Sequence, residues 1–329
     1  MTSKTSVLIT GGLGFIGAHL ANRLSERDDV SRIVIIDLGL SWPLSRTVIA
    51  KPDKIELHTF DIQDEQRIAE CASRCSTIYH LAAESHVQKS IEEPRRFLDT
   101  NVIGTFSVLE AVRKHGSRLI FASTSEVYGS VDNEQIQESH PLEPYSPYAA
   151  TKLAADRLVA AYVRTYSIDA TIVRMFNAYG PGQYFEKLIP MFICSALCGL
   201  PFPVQGDGSA TRDWSYVDDV CTRLIRLLPP QSVNVCNLGS GTTRSVNHIA
   251  RDIASLAGLS RPESEYFPER AGHVASQSAE GAAIASHFGS VATPFDTGLE
   301  QTFNWYRQRI NQWKELFLSA RPAIVRQLK

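Results

Sequence analysis

No stretch of the 329-residue chain offers the roughly 20 uninterrupted apolar residues that a membrane-spanning helix needs. Its apolar start, "SVLITGGLGFIGAHL", is broken by glycines and by His19. No spanning segment is expected, and a cytoplasmic protein is. An excess of one charge is lacking too. With 33 basic residues against 35 acidic ones and no basic cluster, electrostatics gives no reason to expect a nucleic-acid or membrane-surface partner. Cysteine is scarce, and six thiols in a chain of this size do not make a disulfide framework. Cys71/Cys75 and Cys194/Cys198 stand four apart, so each pair would share a helix face, yet no His or carboxylate cluster completes the four ligands of a structural zinc site. Buried thiols are expected, and no metal. Internal repeats and low-complexity tracts are absent from the sequence as well.

What is present is 43% apolar residues, enough for a large core and more naturally divided between two domains than one. Through the first half, β-branched apolar runs alternate with helical patterns: "SVLIT", "GAHLANRLSER", "RIVIID", "TIYHLA", "NVIGTFSVLEAVRKH", "RLIFAS". That alternation predicts an α/β fold with a parallel sheet covered by helices on both faces. The first strand runs into Gly11, Gly14 and Gly17, where a tight turn brings backbone N–H groups and a helix N-terminus up to a diphosphate. About 20 residues on, the next strand ends at Asp37, whose carboxylate can accept ribose hydroxyls and would repel the extra phosphate of NADP. NAD is the expected cofactor.

"PYSPYAATKLAADRLVAAYVRTY" reads as a long helix with Ser146 as N-cap and Pro147 at its first position, which places Tyr148 and Lys152 on one face. Thr124, Ser125 and Glu126 follow the strand "RLIF", at the sheet edge where doubly wound folds bind ligands. A capping role for Thr124 or Ser125, with Glu126 solvated, is the competing interpretation. After about residue 177 the texture turns rich in Gly and Pro, suggesting a smaller second domain. "VNVCNLGSG" reads as one more buried strand that returns to the first sheet.

Taken in order, the glycine motif, "HLAAESHVQKSI", "NVIGT", "STSEVYG", Tyr148 with Lys152, "FNAYGPGQ", "EKLIP", "GDGSATRDW" and "RAGH" resemble the extended short-chain dehydrogenase/reductases that modify nucleotide-linked sugars, closest to nucleoside-diphosphate-hexose 4,6-dehydratases. The likeness runs from about Ser6 to Tyr306. It implies a Rossmann doubly wound domain over 1–176 plus about 214–245, and a smaller nucleotide-sugar domain over about 177–213 and 246–329. A homodimer and a nucleotide-diphosphate sugar as substrate are further implications.

The resemblance also assigns residues. Tyr148 matches the acid/base tyrosine, Lys152 the lysine, Thr124 the hydroxyl partner and Glu126 the glutamate, while Ser125 stands where dTDP-glucose dehydratases carry an aspartate. Phe15 and Ile16 in the glycine turn, Asp61 and Ile62 beside the adenine, and Leu81, Ala82, Ala83 and Asn101 match cofactor-binding positions. Ser85, Asn177, Lys187 and Leu188 match positions facing nucleotide or sugar, and Arg212 and Arg270 match the diphosphate-binding arginines, where bidentate bonds favour Arg over Lys. Tyr148 would take the 4-hydroxyl proton as hydride leaves C4, helped by the Lys152 ammonium and the nicotinamide charge. Glu126 would then remove the C5 proton and deliver it to the departing C6 hydroxyl, since a serine is too weak an acid. A UDP-glucuronate-type decarboxylase, a 4-epimerase and a 5,6-dehydratase begin with the same oxidation and stay open, as does a non-catalytic nucleotide-binding scaffold.

Overall fold

Seven of the apolar runs pair into one parallel sheet. The computed structural model describes residues 4–39, 52–131, 134–229, 234–269, 271–289 and 292–328. Within it β1 (Thr5–Thr10), β2 (Val30–Asp37), β3 (Ile55–Thr59), β4 (Thr77–His80), β5 (Arg118–Thr124), β6 (Ala170–Met175) and, further along the chain, β10 (Val235–Leu238) lie in the order β3-β2-β1-β4-β5-β6-β10. Each neighbouring pair is parallel. β10 is the strand read in "VNVCNLGSG", and it lies beside β6.

The uninterrupted apolar runs follow from burial on both faces. Val7 to Ile9, Ile33 to Ile36 and Leu119 to Phe121 have no solvent exposure. Alternation along the pleat sends Leu8, Val34 and Ile36 to one face. There they meet Ile68 of α2 (Glu65–Ala72), Val108 and Leu109 of α5 (Gly104–His115), and Val159 of α6 (Pro147–Tyr166) in one core. Val7, Ile9, Ile33 and Ile35 take the opposite face, and α1 (Phe15–Ser25) packs against β1 and β2. Between β4 and α5 the chain makes two short helices, α3 (Val87–Glu92) and α4 (Pro94–Leu98), and a wide π turn over Asp99–Ile103.

The chain divides into two compact units. The first holds Met1–Gly129, Glu138–Met175 and Val220–Leu238, and the second Ser130–Gln137, Phe176–Asp219 and Gly239–Lys329. In the second, β9 (Thr211–Tyr216) pairs with β7 (Asn177–Tyr179), β11 (Thr243–Ser245) and β13 (Ser276–Gln277), while β8 (Phe202–Gln205) pairs with β12 (Ser264–Phe267). Its helices are α7 (Leu188–Cys198), α9 (Val246–Leu256), α10 (Gly281–Phe288) and α11 (Phe295–Arg326); α8 (Val217–Arg226) follows β9. Asp213, fully buried on β9, accepts from the Ser240, Gly241 and Ala279 N–H groups at 2.6, 2.9 and 3.2 Å, so the acid of "GDGSATRDW" anchors loops. Cys71, Cys75, Cys194, Cys221 and Cys236 are buried and Cys198 half-buried, all as free thiols.

α6 starts as the sequence indicates. Ser146 caps it, its hydroxyl oxygen accepting the Ala149 N–H at 3.1 Å, and Pro147 fills the first position, where a missing N–H costs nothing. Ser146→Ala should therefore lower stability by about 1 kcal/mol. A reduced denaturant midpoint at unchanged slope checks this, and Ser146→Asp should recover most of the loss.

Candidate active site

β5 leaves the core at Thr124 and tightens into a 3₁₀ turn over Ser125–Tyr128. The turn's first N–H groups need an acceptor, and the Thr124 hydroxyl oxygen takes the Glu126 N–H at 3.2 Å. The same hydroxyl is hydrogen-bonded to the Tyr148 phenol at the start of α6. Thr124 thus both caps the turn and meets the tyrosine. Burial pushes the Tyr148 phenol up to about 12, the Thr124 hydrogen bond pulls it back, and the nearby Glu126 carboxylate pushes it further up. Threonine, glutamate and tyrosine therefore converge at the carboxyl end of β5. Ser125 is buried, only 3% exposed.

One turn along α6, Lys152 lies beneath the strand. Its ammonium donates to the Ala122 carbonyl at 2.6 Å and sits 4.5 Å from the centre of the Phe121 ring. Burial pushes Lys152 down to about 7, partly offset by the negative charge of Asp156. Asp156, Ser123 and Arg174 escaped the reading of the sequence. Asp156 is fully buried and accepts from the Ser123 hydroxyl and from Arg174 Nε, each at 3.0 Å. The signal was present in the sequence, since 148, 152 and 156 form one i, i+4 stripe.

At the head of β1, Gly11 has φ +69°, and a Cβ there would come within 2.7 Å of the Ala82 nitrogen. At Gly17 a Cβ would strike the Gly11 carbonyl oxygen at 2.2 Å. Gly14, the N-cap of α1, offers no side-chain acceptor, so the N–H groups of Phe15 and Ile16 in the first turn take no cap from it and suit an anion. Asp37 sits at the end of β2, its carboxylate accepting the Leu13 N–H at 3.0 Å and the Gly39 N–H at 3.1 Å. Asp61 accepts from the Gln63 N–H at 3.0 Å and, with Leu38, Gln63, Glu84, Pro94 and Thr100, borders a cavity of about 620 Å³. The Ile62 side chain lies in the core, which leaves its backbone for a ligand.

A buried chain of hydrogen bonds joins these parts. Thr105 Oγ1 donates to the Asn101 carbonyl at 2.6 Å, so it must accept from His80 Nε2 at 3.0 Å. The His80 tautomer is thereby set, and Nδ1 accepts from the Thr10 hydroxyl at 2.7 Å. Thr10 in turn accepts the Ala82 N–H at 3.3 Å, and the Leu81 N–H bonds the Thr10 carbonyl at 3.1 Å. At the other end, the Asn101 amide accepts the Glu84 N–H at 2.9 Å and donates to Thr151 at 3.1 Å, whose hydroxyl donates to the Tyr148 carbonyl at 2.9 Å. The π turn places Asn101 for this role. Ala83 continues from Ala82 in the same half-buried segment, and Ser85 is exposed just before α3.

Four of the substrate positions belong to the second unit. Asn177 opens β7 opposite Trp214, Lys187 is the N-cap residue of α7, and Leu188 is its first residue. Arg212 spends its guanidinium on carbonyls, donating to those of Thr211 at 2.8 Å, Ala275 at 3.2 Å and Val274. Arg270 lies outside the described residues.

A family model described as GDP-mannose 4,6 dehydratase matches residues 8–279. A dTDP-glucose 4,6-dehydratase of Mycolicibacterium smegmatis is 36% identical over 317 residues, covering 94% of this chain and 96% of that protein. The low-salt glycan biosynthesis protein Agl12 of Haloferax volcanii is 36% identical over 305 residues, 91% of this chain and 98% of its own. Among solved structures, DesIV, a dTDP-glucose 4,6-dehydratase from Streptomyces venezuelae crystallised with NAD, superposes with TM-score 0.89 at 33% identity over 94% of this chain and 99% of that one. A Thermus thermophilus UDP-glucose 4-epimerase with NAD gives TM-score 0.83 at 28% identity over 92% and 99%.

His80 supplies a test of the buried chain. Burial and the Lys152 charge push its imidazole from 6.5 down to about 3. Because the unfolded chain takes up this proton below pH 6.5 and the folded one only near 3, the histidine's contribution to stability is full above 6.5 and fades as pH falls through that window. His80→Asn, with no such proton to gain, should lose less stability than the parent between about pH 7 and about pH 4, as read from denaturant midpoints.

Proposed function

The chain belongs to the GDP-mannose 4,6-dehydratase family of extended short-chain dehydrogenase/reductases, and we propose that it is an NAD-dependent nucleotide-sugar 4,6-dehydratase. The observation that carries this reading is the meeting of Thr124, Glu126 and Tyr148 at the carboxyl end of β5. An epimerase needs the first and third of these; a carboxylate beside them suits elimination.

The dinucleotide residues fit NAD: two glycine positions without room for a Cβ, an open helix N-terminus, and a carboxylate ending β2. Bound there, NAD would supply the acceptor for hydride from sugar C4 and the donor for its return to C6. One proton, equivalent to the one Tyr148 takes from the 4-hydroxyl, would be added at C5 to close the balance. Tyr148, as phenolate, takes the proton of the 4-hydroxyl, with Thr124 donating a hydrogen bond to hold the reacting oxygen in line. The positive charge of Lys152, one turn along the helix, supplies the field that the phenolate requires. Once C4 is a ketone, the C5 proton is acidic because its carbanion is an enolate. Glu126 removes that proton, the C6–O bond breaks, and Glu126 gives the same proton to the departing hydroxyl as water. This shuttle follows from Ser125, which is too weak an acid to protonate a leaving group. On the sugar side, Ser85, Asn177, Lys187, Leu188, Arg212 and Arg270 are the proposed contacts, with Arg212 keeping N–H groups for a diphosphate only if the 274–275 carbonyls release it.

A homodimer is part of the proposal. Ile91, Leu98 and Ile103 are 37, 42 and 45% exposed on α3, α4 and the π turn, apolar side chains that a second copy would cover. Light scattering should read the mass of two chains. A cytoplasmic setting agrees with six free thiols.

Incubation with UDP-, dTDP-, GDP- and CDP-sugars should yield one product lighter by a water. Unchanged mass with an inverted sugar would mean a 4-epimerase instead, and carbon dioxide release a decarboxylase. With the accepted sugar, Glu126→Gln should abolish water loss while reduced dinucleotide still accumulates slowly; equal loss of both steps would remove Glu126 from the elimination alone.

A further inference from the structure

We propose that Asp156 is a positioning residue of the active site: buried one helical turn beyond Lys152 and anchored by Ser123 and Arg174, it is the counter-ion that keeps the lysine charged beneath the catalytic strand. The inference rests on the dehydratase reading for its catalytic consequence, while its electrostatic content stands apart from the substrate.

Lys152 has few partners for a buried cation. It is 3% exposed, with the Ala122 carbonyl as acceptor and the Phe121 ring face beside it. A neutral carbonyl and a ring recover part of the hydration that an ammonium gives up, and a full negative charge nearby recovers more. Asp156 is placed to provide it, i+4 on the same helix and itself without exposure. The carboxylate is locked. Arg174, 2% exposed, donates Nε to Oδ2 at 3.0 Å and a terminal nitrogen to Oδ1 at 3.3 Å. Half-exposed Arg157 donates Nε to Oδ1 at 3.0 Å, and the Ser123 hydroxyl donates to Oδ2 at 3.0 Å. Burial pushes the Asp156 carboxyl up, but the Arg174 and Arg157 bonds outweigh it and hold the group below its ordinary value, so it is ionised wherever the enzyme works.

Other charges around α6 are engaged elsewhere. His80 on β4 is neutral and held by Thr10 and Thr105. Past β5, Glu126 lies near Tyr148. On the helices packed against α6, Glu110 pairs with Arg113 and Tyr162, Arg95 with Asp99, and Arg96 with Glu84 and Glu93; Lys89 on α3 and Lys114 and His115 at the end of α5 are further basic groups. Ser123 makes the link geometric as well as electrostatic. It lies between Ala122, which holds Lys152, and Thr124, which holds Tyr148, so one carboxylate steadies strand and helix together.

The test uses the NAD-loaded protein with ¹³C-labelled lysine, the Lys152 ε-carbon being assigned from its loss in Lys152→Arg. Its NMR titration should centre near neutral pH in the parent, about 7. In Asp156→Asn the midpoint should fall by about one unit or more, a proton affinity at least tenfold weaker, and Asp156→Glu should return it most of the way. With dTDP-glucose as the turnover probe, kcat of Asp156→Asn at about pH 7 should drop about fivefold or more as the charged fraction goes from a half to a tenth, with little change in KM, and the alkaline limb should move to lower pH. If Asp156→Asn does not fold because Arg174 is left unpaired, Asp156→Asn with Arg174→Gln removes both buried charges and should show the same fall in the lysine midpoint. A Lys152 midpoint unmoved in either folded variant overturns the proposal. A shifted midpoint in a parent protein that turns over neither dTDP-glucose nor the UDP-, GDP- and CDP-sugars instead counts against the dehydratase reading and leaves the counter-ion in place.

Discussion

The bond from the Lys152 ammonium to the Ala122 carbonyl, 2.6 Å long, is the constraint from which the site's geometry follows. It fastens α6 to β5 two residues before Thr124, at a point where the β5 register against β6 is continuous from Leu119 to Thr124. A strand held on one side by its ladder and on the other by a buried cation cannot slide. Thr124 therefore emerges at a set height, and Tyr148, one turn back along the helix, meets its hydroxyl. An ammonium in that position is costly to bury. Its carbonyl, ring and carboxylate neighbours answer that cost.

The same economy of placement links the cofactor edge to the tyrosine. Thr10 ends β1 just ahead of Gly11, His80 ends β4 just ahead of Leu81, and Asn101 sits in the π turn. Three hydroxyls and one imidazole run between them with each donor matched to an acceptor, ending on the Tyr148 carbonyl. Such a chain has a single consistent direction only if the histidine is neutral, and burial enforces that state. The glycine loop and α6 are thus held to one another through buried and half-buried polar groups.

Much of this was legible in the sequence, for physical reasons that can be named. Strands buried on both faces show as unbroken apolar runs, which is why "SVLIT", "RIVIID" and "RLIF" indicated a parallel sheet. Ser146 and Pro147 announced the start of α6 through local chemistry alone, and Gly11 and Gly17 declared positions where no side chain fits. Long-range polar pairing left no such trace. Nothing local says that Arg174 on β6 turns toward Asp156 on α6, or that Arg212, read as a diphosphate ligand, would meet the carbonyls of residues 274 and 275. Spacing identifies which side chains share a face; which atom ends up nearest depends on how helix and strand pack.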